Sequence, residues 1–332
     1  MTNTNTNKYR RLGGASTRRL SHHPGQRLID QVDGTEAQLL TPEELTGELW
    51  SELEGTWVGN KGWNIIAMPA PGTTPDYFDS DRSSVLLVQP YMETLTFSNP
   101  GAPARNRGGD RDQFIPALEY HQRVSHLETG ELLHVENGMF LNLSTIVGNR
   151  TKNILPPPEF NIARSGTIPH GNSIMILGEP PSVEPGAPDI PDISSFPFRR
   201  ENGVVVNFPL NDKYLFDYQT HEYPPDVPNP NETLREELLR LEEEGGSIIS
   251  TTTMTLDSEN SGGITNIPFI VERANATRVS ATFWLEKVSN SDGIEFLQLQ
   301  YSQTILLEFH HFDQDGPILI WPHTTINTLV KQ

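Results

Sequence analysis

Apolar and polar side chains alternate with a period of two residues through much of this chain, most clearly in Thr277 to Lys287 (T-R-V-S-A-T-F-W-L-E-K) and from Glu295 to Phe309. A period of two sends successive side chains to opposite faces of a strand, so one face turns to a core and the other to water. About a dozen such segments lie between Gly55 and Leu329, among them Ser84 to Val88, Met92 to Ser98 and Ile264 to Glu272. Glu128-Thr129-Gly130 and Ser291-Asp292-Gly293 supply turn chemistry between neighbouring segments. The pattern predicts an all-β fold, an antiparallel barrel or sandwich.

Two helices interrupt the strands. Thr41-Pro42-Glu43-Glu44 combines a capping hydroxyl, a proline for the first helical position and a glutamate three residues on, predicting a short helix to about Leu53. Asn231 to Glu244 is amphipathic, with Asn231 expected as its cap and Gly245-Gly246 as its stop. Its Leu234, Leu238 and Leu241 share one face, which either packs on the outside of the β structure or closes over its mouth. Glu179 to Phe198 carries six prolines and is expected as an extended surface loop. Residues 1–40, polar and aperiodic, are expected as a disordered or loosely docked arm, leaving 41–332 as a single domain.

Composition narrows the function. With 43 acidic and 24 basic residues the formal charge is −19, which repels phosphate backbones and argues against a nucleic-acid partner. The absence of an 18-residue apolar run argues against membrane insertion. Lys8, Arg10, Arg11, Arg18 and Arg19 lead into Ser-His-His-Pro rather than an apolar secretory core, so a cytoplasmic location is expected. Zero cysteines leave His, Tyr, Met or carboxylates to hold any metal or haem. Neither His310-His311 nor the pair His121 and His126 puts both rings on one face of a strand, so zinc is not expected.

Three histidine-bearing segments stand out. His134 and Glu136 lie two apart and share a face, either as a buried polar pair fixing a hairpin or as ligand contacts. His170 lies in the turn Ser165-Gly-Thr-Ile-Pro-His-Gly171, as a backbone-bonded loop residue or as a distal acid/base group facing the barrel mouth. His323 follows Trp321-Pro322 at the start of the last strand, where a lone histidine suits a hydrogen-bonded rim position.

Three motifs resemble the nitrobindin family of haem-binding calycin barrels. Gly55-Thr-Trp-Val-Gly-Asn-Lys-Gly62 is similar to the family's first strand, with two residues between its last glycines. Leu118-Glu-Tyr120, followed by Thr129-Gly130 and then His134-Val-Glu-Asn-Gly138, is similar to its central hairpin, and the segment from His323 to Lys331 to its last strand. The resemblance implies a calycin-like antiparallel barrel of about ten to twelve strands, with haem b held by His323 as its metal ligand. It also implies chemistry on nitric oxide, peroxynitrite or peroxide. Trp63, Phe140, Phe283 and Tyr301 are the expected wall of that pocket. The alternative is a haem-free carrier, or a cofactor-independent enzyme for a long apolar molecule such as a fatty acid or polyketide-like compound, with His170, His134 and Glu136 orienting or protonating the ligand.

Overall fold

Alternation of period two dictates strands, and the computed structural model forms sixteen of them among its described residues, which are 42–69, 84–108, 111–148, 159–209, 213–215, 218, 224–309 and 318–332. The expected arm of residues 1–40 and His310-His311 lie outside the described residues. The strands are β1 (Gly55–Pro69), β2 (Ser84–Ser98), β3 (Ala104–Arg107), β4 (Arg111–Ile115), β5 (Ala117–His126), β6 (Leu132–Asn142), β7 (Thr145–Gly148) and β8 (Ile162–Ile168). There follow β9 (Asn172–Gly178), β10 (Ser182–Pro185), β11 (Phe198–Glu201), β12 (Val204–Asn207), β13 (Ser247–Asn266), β14 (Asn275–Ser289), β15 (Glu295–Phe309) and β16 (Leu319–Lys331). The helices are α1 (Pro42–Leu53), α2 (Asn231–Glu243) and α3 (Pro268–Arg273).

Ten of the strands run antiparallel in the order β1-β2-β5-β6-β8-β9-β13-β14-β15-β16, and pairing of β16 with β1 closes them into a barrel. Closure removes the exposed edges of the barrel sheet. β3, β4 and β7 form a separate small sheet, and the β11–β12 hairpin adds to one end of β16. The expected all-β barrel with a short N-terminal helix and an inserted helix is what forms.

The glycines of the first motif explain how β1 meets β16. The ladder shifts register between Gly59 and Gly62 on one side and between Val58 and Trp63 on the other. A Cβ on Gly62 would lie 1.9 Å from the carbonyl oxygen of Ile326, and one on Gly59 would lie 2.2 Å from that of Thr328. Only residues without a side chain permit that approach. The bulge also reverses the inward phase of β1, with Trp57 in the core before it and Asn64 reaching the interior after it. Trp63 therefore packs outside against α2 and does not line the pocket, contrary to the expectation from sequence.

One end of the barrel is sealed by apolar packing. Trp50 and Leu53 of α1 cover Trp57, whose Nε1 donates to the carbonyl of Leu53 at 2.8 Å, and Phe97, Leu118, Phe140, Phe283, Leu299 and Leu329 continue the core beneath. α2 lies on the outer wall, its buried Leu234 and Leu238 against Trp284 and Ile326. Phe283 and Leu285 on either side of Trp284 face the core, so Trp284 faces outward and α2 is not a closure over the mouth.

Three other local expectations are corrected. Asn231 is the first helical residue and not the cap, because its side chain instead donates to the carbonyl of Pro191 at 2.8 Å. Ser84 to Val88 and Met92 to Ser98 are one strand running through Pro90, whose missing N–H falls beside the β1 bulge. β13 ends at Asn266, and Pro268 begins α3 because proline suits the first turn of a helix. The proline-rich segment runs extended over the surface, with Ser182–Pro185 paired to β13 and Ile190 buried under α2.

Candidate functional site

Several strands carry polar groups on their apolar phase, and these meet in the barrel interior. Tyr91, Glu93, Leu95 and Phe97 alternate inward on β2; Leu118, Tyr120, Gln122 and Val124 do so on β5; Ile162 and Arg164 share a phase on β8. Buried polar groups need partners, and across the middle of the barrel they find one another.

The first network centres on Glu93, which is fully buried. Its Oε1 accepts from Gln122 Nε2 at 2.7 Å, and its Oε2 accepts from the Tyr301 hydroxyl at 2.8 Å and Asn327 Nδ2 at 3.0 Å. Burial pushes the Glu93 carboxyl up, against the pull of these three donors. The Tyr91 hydroxyl lies 3.0 Å from that of Tyr301 and donates to the carbonyl of Ile326 at 2.8 Å, while Asn327 Oδ1 accepts from the Lys61 backbone at 3.1 Å. Lys61 lies within the β1 bulge and Ile326 opposite its end, so this network also bonds backbone groups beside the irregular stretch of the ladder.

The second network is a buried ion pair. Arg164 Nη2 donates to Glu136 Oε1 at 2.7 Å, Nη1 donates to Gln303 Oε1 at 2.6 Å, and Nε donates to the Tyr120 hydroxyl at 3.2 Å. That hydroxyl donates in turn to Glu136 Oε1. The guanidinium lies over the rings of Tyr120, Phe140 and Phe283 at 5.2–5.8 Å. Burial by itself would push the Glu136 carboxyl up; the Arg164 charge, with His134 and Tyr120, overcomes this and holds it at about 2. Gly166 leaves the room, since a Cβ there would lie 2.5 Å from both Glu136 Oε1 and the Tyr120 hydroxyl.

Beyond these networks, away from α1, lie three histidines from three distant stretches of chain. His134 shares the inward phase of Glu136 and Phe140 on β6, yet its side chain keeps 25% of its exposure and so reaches solvent, whereas past His323 the residues Leu307, Phe309, Leu319 and Trp321 are buried with Tyr214 and Val227. His170, in the β8–β9 turn, places its ring centroid 5.5 Å from that of His134. His323 shares the inward phase of Asn327 and Leu329 on β16, and its Nε2 lies 2.7 Å from Asn64 Oδ1. Burial, then the neighbouring His134 and His170, push His323 down to about 3, and burial and His134 also lower His170. His323 is therefore a neutral imidazole near pH 7.

Its tautomer follows from its neighbours. Asn64 Nδ2 donates to Gln89 Oε1 at 3.3 Å, which turns Asn64 Oδ1 toward His323 and toward the Thr325 hydroxyl at 3.4 Å. An amide oxygen only accepts, so the proton sits on His323 Nε2 and the lone pair on Nδ1. On the opposite wall, Glu136 Oε2 has no hydrogen-bond partner among the described residues, and His134 Nε2 at 3.5 Å is an ion-pair neighbour too distant to donate well.

Of the residues singled out from sequence, His134, Glu136, His170 and His323 converge at this end. Phe140, Phe283 and Tyr301 face the interior but pack on one another, with Phe283 at 5.5 Å from Phe140 and 5.6 Å from Tyr301. The void they share with Arg164 and Gln303 measures about 10 Å³, room for one water. Sequence reasoning missed Arg164, Glu93 and Asn64. For Arg164 and Glu93 the signal was present, a charged residue on the apolar phase of a strand; Asn64 was hidden by the bulge.

No family model matches this chain, and no curated protein matches it. Among solved structures, the chain is similar to the crystal structure of Rv2717c from M. tuberculosis, with 13% identity over 87% of this chain and 98% of that one, at a TM-score of 0.38. A likeness at that level assigns nothing to individual residues here.

Proposed function

We propose that the barrel binds a small organic ligand at its histidine-bearing end, with His134, His170 and His323 as the contacts. The observation that carries this reading is the oriented, neutral imidazole of His323, whose Nδ1 makes no hydrogen bond among the described residues. Side chains that only stabilise a fold are satisfied by the fold, whereas a convergent set of polar groups at an open apolar end is the usual make-up of a ligand site. The test is titration with an environment-sensitive naphthalene dye. Binding should survive high salt, because apolar burial is not screened, and should weaken in His323→Ala. Binding that disappears with salt and ignores His323 would place the site on the acidic surface.

Haem is the second reading, and His323 is again what favours it. A metal-binding imidazole gives its other ring N–H to an oxygen acceptor, as His323 does to Asn64. Bound haem would supply redox chemistry toward nitric oxide, peroxynitrite or peroxide. The donor fits better than the wall: the free nitrogen is Nδ1, next to the side chain's own Cβ, and the aromatic residues expected around haem fill their space with one another. A Soret band that forms with hemin and is lost in His323→Ala would favour this reading over the first. Equal spectra for the two proteins would remove it.

A further inference from the structure

We infer that the histidine-bearing end selects apolar molecules carrying an uncharged hydroxyl donor, because two of its polar atoms without a hydrogen-bond partner among the described residues, the buried Glu136 Oε2 and His323 Nδ1, are acceptors. The inference rests on the organic-ligand reading above and names the class of ligand.

Three features of the site point the same way. Glu136 is only 1% exposed, and its Oε2 lacks a partner, so a buried acceptor there stays costly until a donor reaches it. The carboxylate is ionised, since Arg164 and Tyr120 hold its other oxygen, so Oε2 can only accept a hydrogen bond. Arg164 is poorly placed to receive an anion, because it is buried and three of its five N–H groups already donate to Gln303, Glu136 and Tyr120. At Glu136 Oε2 a fatty-acid carboxylate would thus meet an acceptor where it needs a donor.

A cation fares no better. Arg164 and Glu136 neutralise each other, so an ammonium would bring an uncompensated charge into the barrel, whereas a hydroxyl brings none. The paired rings of His134 and His170, tilted by 31° and 5.5 Å apart, offer a flat border for an aromatic or alicyclic body.

The probes are four compounds sharing one body: 2-naphthol, 2-methylnaphthalene, 2-naphthoate and 2-naphthylmethylammonium, titrated calorimetrically at neutral pH. 2-Naphthol should bind on the order of tenfold more tightly than 2-methylnaphthalene, reflecting a hydrogen bond to a charged or buried acceptor, and 2-naphthoate should bind most weakly. Glu136→Gln and His323→Phe should each shrink the preference for naphthol over methylnaphthalene. The second variant leaves the Arg164 ion pair intact, should loss of Glu136 disturb the fold. Naphthoate or the ammonium binding as tightly as naphthol, or a preference that persists in both variants, would overturn the selectivity while leaving a ligand site standing. Failure of all four to bind would overturn that site and the selectivity with it.

Discussion

Replacing Glu286 by glutamine should abolish most of the alkaline loss of stability of this protein. Glu286 lies on the outward phase of β14 with Trp284 and Val288, fully buried, with Oε2 accepting from Gln298 Nε2 at 2.6 Å and Oε1 unpartnered among the described residues. Burial raises its carboxyl to about 8, only partly opposed by Gln298, from 4.5 when free. Between those values the native state keeps a proton that the unfolded chain has released. The folded form therefore binds more protons, and stability falls as pH rises through the window. The gap between 4.5 and about 8, at about 1.36 kcal/mol per pH unit, sets a ceiling of ~5 kcal/mol lost by the upper end. Glutamine keeps the shape and the acceptor for Gln298 but cannot ionise. Urea unfolding of both proteins from about pH 5 to about pH 9 should show the wild type losing several kcal/mol and Glu286→Gln losing much less, with Glu93 supplying the residual slope. Parallel decline of the two proteins would refute the reasoning, since it would mean that Glu286 ionises natively as it does when unfolded.

Other perturbations test other parts of the fold. Gly138→Ala would place a Cβ 1.8 Å from the Ser165 carbonyl oxygen and should cost ~3 kcal/mol or more by pushing β8 off β6, whereas Gly130→Ala, in an open turn at φ +69°, should cost only about 1–2 kcal/mol by chemical denaturation. Leu234→Ala should cost roughly 2–5 kcal/mol, because the side chain is fully buried, yet leave naphthalene-dye affinity unchanged because α2 is part of the wall; altered affinity would restore a closing role to the helix. Arg164→Leu strands the ionised Glu136 and should cost on the order of 3–5 kcal/mol, much of it recovered in Arg164→Leu with Glu136→Gln; full additivity of the two changes would show that the charges do not interact. On the acid side, Glu136 and His323 both bind fewer protons when native than when unfolded, so stability should fall as pH drops from about 6.5 toward about 2, and Glu136→Gln should flatten the lower part of that fall.

What the sequence determined by itself is whatever depends on local periodicity and turn chemistry. Alternation over Thr277 to Lys287 specified a strand, Pro42 and Glu44 a helix start, and Gly245-Gly246 a helix end, which forms with the Gly246 N–H on the carbonyl of Leu241 at 2.9 Å. The inward phase of His134, Glu136 and Phe140 was legible for the same reason, since residues two apart on a strand share a face. Which groups meet was decided only by the closed barrel. Arg164 and Glu136 are 28 residues apart and Asn64 and His323 are 259 apart, and no local pattern records such a pairing. Trp63 shows the limit most sharply: alternation counted from Trp57 sends it inward, and the bulge between Gly59 and Gly62 sends it out. That bulge exists because β16 presses on β1 at two glycines, a contact made across nearly the whole length of the chain, so the phase of every residue after it is a property of the tertiary fold.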